Sequence, residues 1–172
     1  VEESTYQNDT NEIFVILGNG AAGFNAAKEI RQRNKTCTIT IVSNEKSLSY
    51  NRPMLTKTLL SGVSAKQLAV ESEAWYQENN INTVLGQEIQ SIDTKAKEII
   101  FADGMKLKYD KCIYALGAEC FVPPIKGVEK SEVVAIRRMS DVEKVRKLLK
   151  TAKNVVVIGG GVLGLEAAWE IK

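Results

Sequence analysis

The stretch IFVILGNGAAGFNAAKEIRQR, residues 13–33, decides the fold. Its first five residues form an uninterrupted apolar run, which is typical of a buried parallel strand. Glycines follow at once, and apolar residues at helical spacing after Ala21 predict a helix of about three turns. The β-branched, alternating segment TCTITIV at 36–42 predicts a second strand. A strand, a turn, a helix and a strand within about 30 residues form a βαβ unit, whose crossover we expect to be right-handed.

The glycines of this stretch have the spacing of a nucleotide-binding loop. Gly18 permits a tight turn, Gly20 lets a pyrophosphate approach the backbone, and Gly23 lets helix and strand pack closely. The N–H groups that open the helix would point at the phosphates, aided by the positive end of the helix dipole. A bland strand–helix turn is the alternative, but the βαβ context favours nucleotide binding. The predicted contacts are Gly18, Asn19, Gly20, Ala21, Ala22 and Gly23.

An acidic residue at the end of the second strand completes this pattern. Glu45 follows the loop by about 20 residues, the distance at which a carboxylate meets the ribose hydroxyls. Because a carboxylate can accept from both hydroxyls at once, Glu45 is the preferred acceptor. Asn44 is the alternative, with Glu45 as a solvated neighbour.

A second glycine loop stands near the other end of the sequence. NVVVIGGGVLGLE, residues 154–166, repeats the apolar run and places Gly159, Gly161 and Gly164 at the same spacing. It predicts the first strand and helix of a second nucleotide-binding domain. The residue that separates NAD from NADP would come later, so the choice between them stays open.

The region between the loops is less regular. Pro53 and Ser72 are placed to open short helices at 53–61 and 72–79, and Ser140 with Glu143 forms a capping box for a helix to about residue 152. The remaining segments predict a small antiparallel meander at 88–92, 98–101 and 106–109, with turns at 93–96 and 103–104, and a parallel strand at 111–116.

Composition excludes several classes of function. The 23 Lys and Arg against 21 Asp and Glu give a net charge of +2, which makes no electrostatic case for nucleic acid. The sequence has no His, which removes Ser-His and Cys-His pairs and the usual zinc ligand sets, so no metal site is expected. No apolar run approaches the roughly 18 residues of a membrane span. Three cysteines without C-x-x-C spacing favour a reducing compartment, and we expect a cytoplasmic protein.

Two dinucleotide loops, the meander and YNRPMLTK at 50–57 together resemble the FAD- and NAD(P)H-dependent pyridine nucleotide-disulfide oxidoreductase superfamily. The branch is that of NADH:rubredoxin reductases, nitrite reductase flavin subunits and ferredoxin reductases of oxygenase systems. The resemblance implies an α/β, Rossmann-like fold. It divides the chain into an FAD-binding domain at 12–120, a crossing segment and helix at 121–153, and the start of an NAD(P)-binding domain at 154–172. Residues 1–11, which are polar with almost nothing to bury, are predicted to be a linker.

The resemblance also assigns roles to single residues. Arg52 and Pro53 would lie along the FAD, and Lys57 would stabilise negative charge at the reactive edge of the reduced flavin. Glu166 would face the nicotinamide, so Lys57 and Glu166 are the candidate catalytic residues. A solvated face of a short helix is the alternative for Arg52 and Lys57. Further cofactor contacts are implied at Glu88, Ile89, Ala115, Leu116, Gly117 and the second loop, with Leu116 in place of the family's threonine.

The cysteine positions select the type of electron acceptor. In the resembled family, disulfide reductases carry a C-x-x-x-x-C pair beside the flavin, and peroxide or coenzyme A disulfide reductases carry one cysteine in the segment that corresponds to 47–51. This sequence has neither, so both kinds of reductase are disfavoured. Cys37, Cys112 and Cys120 are expected to be structural. Within the resembled family this favours relay from NAD(P)H through FAD to a small rubredoxin- or ferredoxin-like carrier, with this chain alone inactive. A flavin-binding sensor without turnover and an NAD-only dehydrogenase are the alternatives, and the oligomeric state stays open.

Overall fold

The computed structural model describes residues 7–172. The first six residues of the predicted linker at 1–11 lie outside the described residues. The elements in chain order are β1 Ile13–Leu17, α1 Ala21–Arg33, β2 Thr38–Ser43, α2 Met54–Lys57, α3 Glu73–Glu78, β3 Ile81–Leu85, β4 Ile89–Asp93, β5 Glu98–Phe101, β6 Lys106–Lys108, β7 Lys111–Tyr114, α4 Met139–Leu149 and α5 Val162–Ile171. They divide between two compact units.

The first unit holds the residues up to Tyr50 together with Ala69–Gly117. Its main sheet has the strand order β3-β2-β1-β7, and all three pairings are parallel. The predicted βαβ unit is therefore confirmed, and α1 occupies the predicted residues 21–33. Because the chain leaves β1 towards β2 on one side and later returns as β7 on the other, β1 lies at the point where the strand order reverses.

Each face of the parallel sheet is covered by a different layer. Ile16 and its neighbours on one face pack against Phe24 of α1 and Tyr76 of α3. Val15 and Leu17 point to the opposite face and pack against the meander, including Ile99 and Phe101. This division follows from the alternation of side chains along a strand. A continuous apolar run is needed because both faces of β1 are buried.

The meander β4-β5-β6 is antiparallel, as predicted. Its turns are built by aspartates that accept hydrogen bonds from backbone N–H groups further along the chain. Asp93 accepts from Lys95 and Ala96 at 3.0 and 2.8 Å, and Asp103 accepts from Met105 at 3.0 Å. Gly104, in the second turn, has a φ of 85°, a value that glycine adopts without strain.

A buried guanidinium joins the end of α1 to the turn before β3. Arg31 is 7% exposed and donates to four backbone carbonyls at 2.8–3.1 Å. These carbonyls belong to Asn34, Cys37, Asn79 and Asn80. One guanidinium thus supplies donors to the peptide groups of two separate segments of the chain.

The residues just before β1 contact the end of α1 more closely than the linker prediction implied. The Asn8 N–H donates to the Arg33 carbonyl at 2.8 Å, and the Thr36 hydroxyl donates to the Thr10 carbonyl at 3.0 Å. The Asn34 side chain bonds to Thr10 as well. Polar side chains on both segments therefore fix a stretch that has little apolar surface to bury.

The second unit holds Asn51–Leu68 and Ala118–Lys172. Three sequence predictions need correction here. The helix expected at 53–61 is limited to α2, followed by irregular turns. The helix α4 begins at Met139 rather than after Ser140, because the Asp141 carboxylate accepts from the N–H groups of Arg137 and Arg138 and caps it two residues earlier.

The third wrong prediction is the strand expected at 154–158, because this apolar run forms no strand in the described part of the chain. Val156 is 84% exposed and Ile158 70% exposed. A strand needs a neighbour to accept and donate its ladder hydrogen bonds. An apolar run in the sequence indicates a segment that can form a strand, but the strand forms only beside such a neighbour.

Among residues 7–172, no helix combines the length and apolar character that crossing a bilayer requires.

Candidate functional site

The first glycine loop lies directly after β1 and its glycines have separate tasks. Gly18 has a φ of 109°, and a Cβ there would meet the Ala115 carbonyl oxygen at 2.2 Å. A Cβ on Gly23 would lie 1.9 Å from the Gly18 carbonyl oxygen. Both positions therefore require glycine for folding alone. A Cβ on Gly20 would meet nothing within 4 Å among the described residues, so its lack of a side chain leaves open space over the loop.

That open space adjoins the start of α1. Gly20 is the N-cap, no side chain caps the helix, and its first turn has no acidic residue. Ala21 and Ala22 are exposed. Four N–H groups at a helix start lack partners within the helix, and together with the helix dipole they favour an anion. The arrangement fits a pyrophosphate, with backbone N–H groups as donors and Gly20 allowing close approach.

Several other predicted contacts of the first unit follow strands that end at the carboxyl edge of the parallel sheet. The register pairs Leu17 with Val42 and with Tyr114, so the loops that follow β1, β2 and β7 leave from the same edge. Ala115 donates its N–H to the Leu17 carbonyl at 2.8 Å. In open α/β sheets this edge, at the reversal of strand order, is where ligands bind.

Asn19 lies between the loop and the segment after β2. It is 6% exposed, and its amide donates to the Ser47 carbonyl at 3.1 Å. Its Oδ1 is buried and has no hydrogen-bond partner within residues 7–172. A buried acceptor without a donor is costly in free energy, so it is a candidate for a bond to a ligand or a water.

Glu45 and Asn44 differ sharply in environment. Asn44 is exposed, whereas Glu45 is half-buried and its Oε2 accepts a hydrogen bond of 2.6 Å from the Tyr50 hydroxyl. Tyr50 is itself 5% exposed. The bond orients the carboxylate at the end of β2, which favours Glu45 over Asn44 as the ribose acceptor. No spacing pattern in the sequence marks Tyr50 as a partner of Glu45, because a tyrosine hydroxyl can bond to many kinds of group.

We expect Tyr50→Phe to weaken FAD binding about fivefold to tenfold, the effect of losing one hydrogen bond to a charged group. The ring stays buried, so the fold should be retained, while the Glu45 carboxylate loses its fixed orientation. Titration of the flavin-free protein with FAD measures the effect. Tyr114→Phe, which removes a hydroxyl from a side chain that is 70% exposed, serves as the control and should leave the affinity unchanged.

The second unit brings the two candidate catalytic residues together. Lys57 ends α2, and its Nζ lies 3.8 Å from Oε1 of Glu166 in α5. The other carboxylate oxygen of Glu166 accepts a 2.7 Å hydrogen bond from the hydroxyl of the buried Thr56. Lys57 and Glu166 also line an open cleft of about 380 Å³, together with Leu165, Trp169 and Glu170. A cation, a fixed carboxylate and an aromatic ring thus surround one cleft.

The second glycine loop repeats the geometry of the first. Gly159 has a φ of 115°, and a Cβ on Gly164 would lie 2.1 Å from the Gly159 carbonyl oxygen. Gly161 is the N-cap of α5 in extended conformation, as Gly20 is for α1. The predicted parallel between Gly159, Gly161, Gly164 and the first loop therefore holds at the level of the backbone.

The remaining predicted contacts are scattered. In the second unit, half-buried Arg52 donates to the Arg137 carbonyl at 3.1 Å, and exposed Pro53 precedes α2. In the first unit, the Glu88 carbonyl accepts from the Ala102 N–H at 2.9 Å, and Ile89 begins β4. After Ala115, Leu116 is 45% exposed and Gly117 has a φ of 74°. Their cofactor roles stay predictions.

The three cysteines occupy different environments. Cys37 is buried, Cys112 is half-buried and Cys120 is exposed. Burial raises the pKa of the Cys37 thiol, with the Arg31 charge opposing part of the rise, and burial also raises the pKa of Cys112. Both thiols therefore carry less thiolate at neutral pH than a free cysteine does, which makes them poor nucleophiles.

We expect N-ethylmaleimide to modify Cys120 first, Cys112 more slowly, and Cys37 only after unfolding. The order follows from exposure and from the raised pKa values, since the thiolate is the reacting form. Mass spectrometry of peptides after timed quenching at pH 7 would give the three rates. Fast labelling of Cys37 in the folded protein would contradict the structural role, and a urea-unfolded sample would show that all three thiols can react.

Comparison with known proteins identifies the family. A family model described as Pyridine nucleotide-disulphide oxidoreductase matches residues 13–172. The chain is 39% identical over 155 residues to Rubredoxin-NAD(+) reductase of Pseudomonas putida, covering 90% of this chain and 40% of that protein. It is 37% identical over 155 residues to Nitrite reductase [NAD(P)H] of Bacillus subtilis, covering 90% of this chain and 19% of that protein.

A solved structure agrees with these relatives. The crystal structure of NADH:rubredoxin oxidoreductase from Clostridium acetobutylicum superposes with a TM-score of 0.82 at 30% identity, over 94% of this chain and 42% of that one. The chain thus spans about two fifths of the rubredoxin reductases it matches. The parallel four-stranded sheet and the three-stranded meander of this chain thus belong to an α/β, Rossmann-like fold that superposes on a pyridine nucleotide oxidoreductase. The chain belongs to the pyridine nucleotide-disulphide oxidoreductase family.

Proposed function

We propose that the chain is the FAD-binding part of an NAD(P)H-dependent oxidoreductase that passes electrons to a small carrier protein of the rubredoxin or ferredoxin type. The first glycine loop is the observation that carries the proposal. It stands at the carboxyl edge of the parallel sheet, where the strand order reverses, and combines an uncapped helix start with open space at Gly20. Those features suit a dinucleotide pyrophosphate.

Residue roles follow from the chemistry of the groups present. The N–H groups of Ala21 and Ala22 would donate to the pyrophosphate, and Glu45, oriented by Tyr50, would accept from the ribose hydroxyls. Lys57 is assigned to the flavin edge and Glu166 to the nicotinamide by family resemblance, and their pairing at 3.8 Å supports a shared role. FAD, when bound, would take two electrons as hydride from NAD(P)H and deliver them singly to the carrier.

Two observations support a small electron-carrier protein as the acceptor: the names of the relatives and the degree of burial of the cysteines. The names of two of the relatives include rubredoxin. Cys37 is buried, Cys112 is half-buried and Cys120 alone is exposed, so the chain lacks the two exposed thiols that a redox-active pair would need. A one-electron protein acceptor therefore suits this chain better than a disulfide substrate.

Gel filtration of the intact protein after incubation with FAD tests the proposal. Stoichiometric flavin should co-elute, and NADH or NADPH should reduce it, with continuous turnover once rubredoxin is supplied. Protein that elutes without flavin would contradict the proposal. Bound flavin that neither nucleotide reduces would instead support a flavin-binding sensor without turnover, which is the competing function.

A further inference from the structure

The helix that carries Lys57 is too short to be stable by itself. α2 spans Met54–Lys57, four residues, whereas isolated helices need about 12–15 residues to form in water. Two of its residues nevertheless meet Glu166: Thr56 by a hydrogen bond and Lys57 by an ion pair. The position of both side chains therefore depends on whatever holds α2 in place.

A guanidinium from α4 holds the end of α2. Arg146 Nη2 donates to the carbonyl of Thr58, the C-cap of α2, at 2.8 Å. Its Nε donates to the Leu59 carbonyl at 2.6 Å, and its Nη1 donates to the Val63 carbonyl at 3.1 Å. The side chain of Arg146 is half-buried. Three carbonyls that follow the helix thus share one cation.

This arrangement suits arginine for two physical reasons. Carbonyl groups at a helix C-terminus lack intrahelical donors, and a positive charge there is favoured by the helix dipole. The planar fork of a guanidinium can also address several acceptors in different directions, which a lysine ammonium on a flexible stem does less well. Arg146 is therefore matched to a short helix whose following turns are irregular.

We propose that Arg146 is a positioning residue for Lys57 and Glu166, acting through the carbonyl groups that end α2. The proposal rests on the proposed function, since it concerns the pair assigned to flavin and nicotinamide. Arg146 holds the end of α2 from α4, while Thr56 ties the helix to Glu166 in α5. Loss of the guanidinium would release α2 and separate Lys57 from Glu166, while the glycine loops keep their backbone geometry.

Stopped-flow reduction of the flavin by NADH in the intact protein tests this role. Arg146→Met should lower the rate constant about tenfold at unchanged FAD stoichiometry and shift the flavin midpoint potential to a more negative value. In a Lys57→Met background the same substitution should change the rate less than about twofold, because residues that act as a unit are not additive. Lys147→Met, an exposed cation on the same helix, is the matched control and should have no effect.

Rescue by the conservative variant separates positioning from charge. Arg146→Lys keeps the positive charge but cannot reach three carbonyls in a fixed fork, so we expect partial recovery of the rate and of the potential. Equal effects of Arg146→Met with and without Lys57 would overturn the proposal, because they would show that Arg146 acts independently of the pair.

Hydrogen exchange in the flavin-free protein provides a readout that needs no cofactor. Arg146→Met should speed exchange across residues 54–63 and leave α1 unchanged, whereas Lys147→Met should alter neither. Unchanged exchange across 54–63 would also overturn the proposal. If the wild-type protein binds no flavin, the proposed function fails, and the exchange experiment still decides whether Arg146 holds α2.

Discussion

Substitution of Arg31 by Met is expected to lower the free energy of unfolding by about 3 kcal/mol, among the larger effects of a single substitution. The guanidinium donates to four backbone carbonyls between α1 and β3, and it is 7% exposed. Methionine fills much of the volume but offers no donor. The carbonyls of the buried residues Asn34 and Cys37 would then lose a donor that water cannot easily replace, which costs more than the hydrogen bonds themselves contribute.

Urea unfolding followed by the fluorescence of Trp75 would measure this loss. Trp75 lies in α3 and contacts Phe24 and Tyr76, so it reports on the first unit. A Trp169→Phe background removes the other tryptophan of the chain. Because replacing a charge by Met also removes the cost of burying it, the net loss is smaller than a sum over four bonds.

Arg33→Met is the matched control for this substitution. Arg33 lies two residues further along the same helix, is 44% exposed and pairs with Glu29 at 3.3 Å. An exposed pair of this kind contributes at most about 0.5 kcal/mol. Equal shifts for the two variants would show that loss of positive charge at the end of α1, rather than loss of carbonyl partners, sets the stability.

Substitution of Gly20 by Ala is expected to raise the dissociation constant for FAD on the order of a hundredfold, about 2.7 kcal/mol. The added methyl group would occupy the space through which a pyrophosphate approaches the backbone. No described atom lies within 4 Å of that position, and φ is −87°, which alanine adopts freely. The unfolding free energy of the flavin-free protein should therefore change by less than about 1 kcal/mol.

Two further glycines complete this experiment. Gly160→Ala adds a methyl group at an equally open position in the second loop and should leave FAD affinity unchanged. Gly23→Ala would force its Cβ to 1.9 Å from the Gly18 carbonyl oxygen, so it should lower both stability and affinity. Unchanged FAD affinity in Gly20→Ala would contradict the assignment of this loop to the pyrophosphate.

The parts of the fold that depend on local sequence could be predicted. The glycine spacing, the apolar run of β1 and the helical spacing of α1 are all properties of neighbouring residues, and the structure places each where the pattern indicates. The same holds for Ser72, whose hydroxyl accepts from the Trp75 N–H at 3.2 Å and caps α3 as predicted. Capping needs only residues within one turn.

The contacts that depend on distant residues could not be predicted. Arg31 bonds to carbonyls 48 and 49 positions away, and Arg146 to carbonyls more than 80 positions away. A backbone carbonyl has no residue type, so no sequence pattern marks it as a partner. The predicted start of α4 was wrong for a different reason. Ser140 with Glu143 matched a capping box, but the carboxylate of Asp141, the third helical residue, accepts from the Arg138 N–H, so the box that forms is another local one.

The second glycine loop keeps its shape although residues 154–158 form no strand. Its positive φ at Gly159 and the close approach of Gly164 match the first loop, where a full parallel sheet is present. The local sequence of about ten adjacent residues is therefore enough to form the bend and the helix start, without a neighbouring sheet. We accordingly expect such a segment, when it is fused after a strand of another protein, to form the same anion-facing turn.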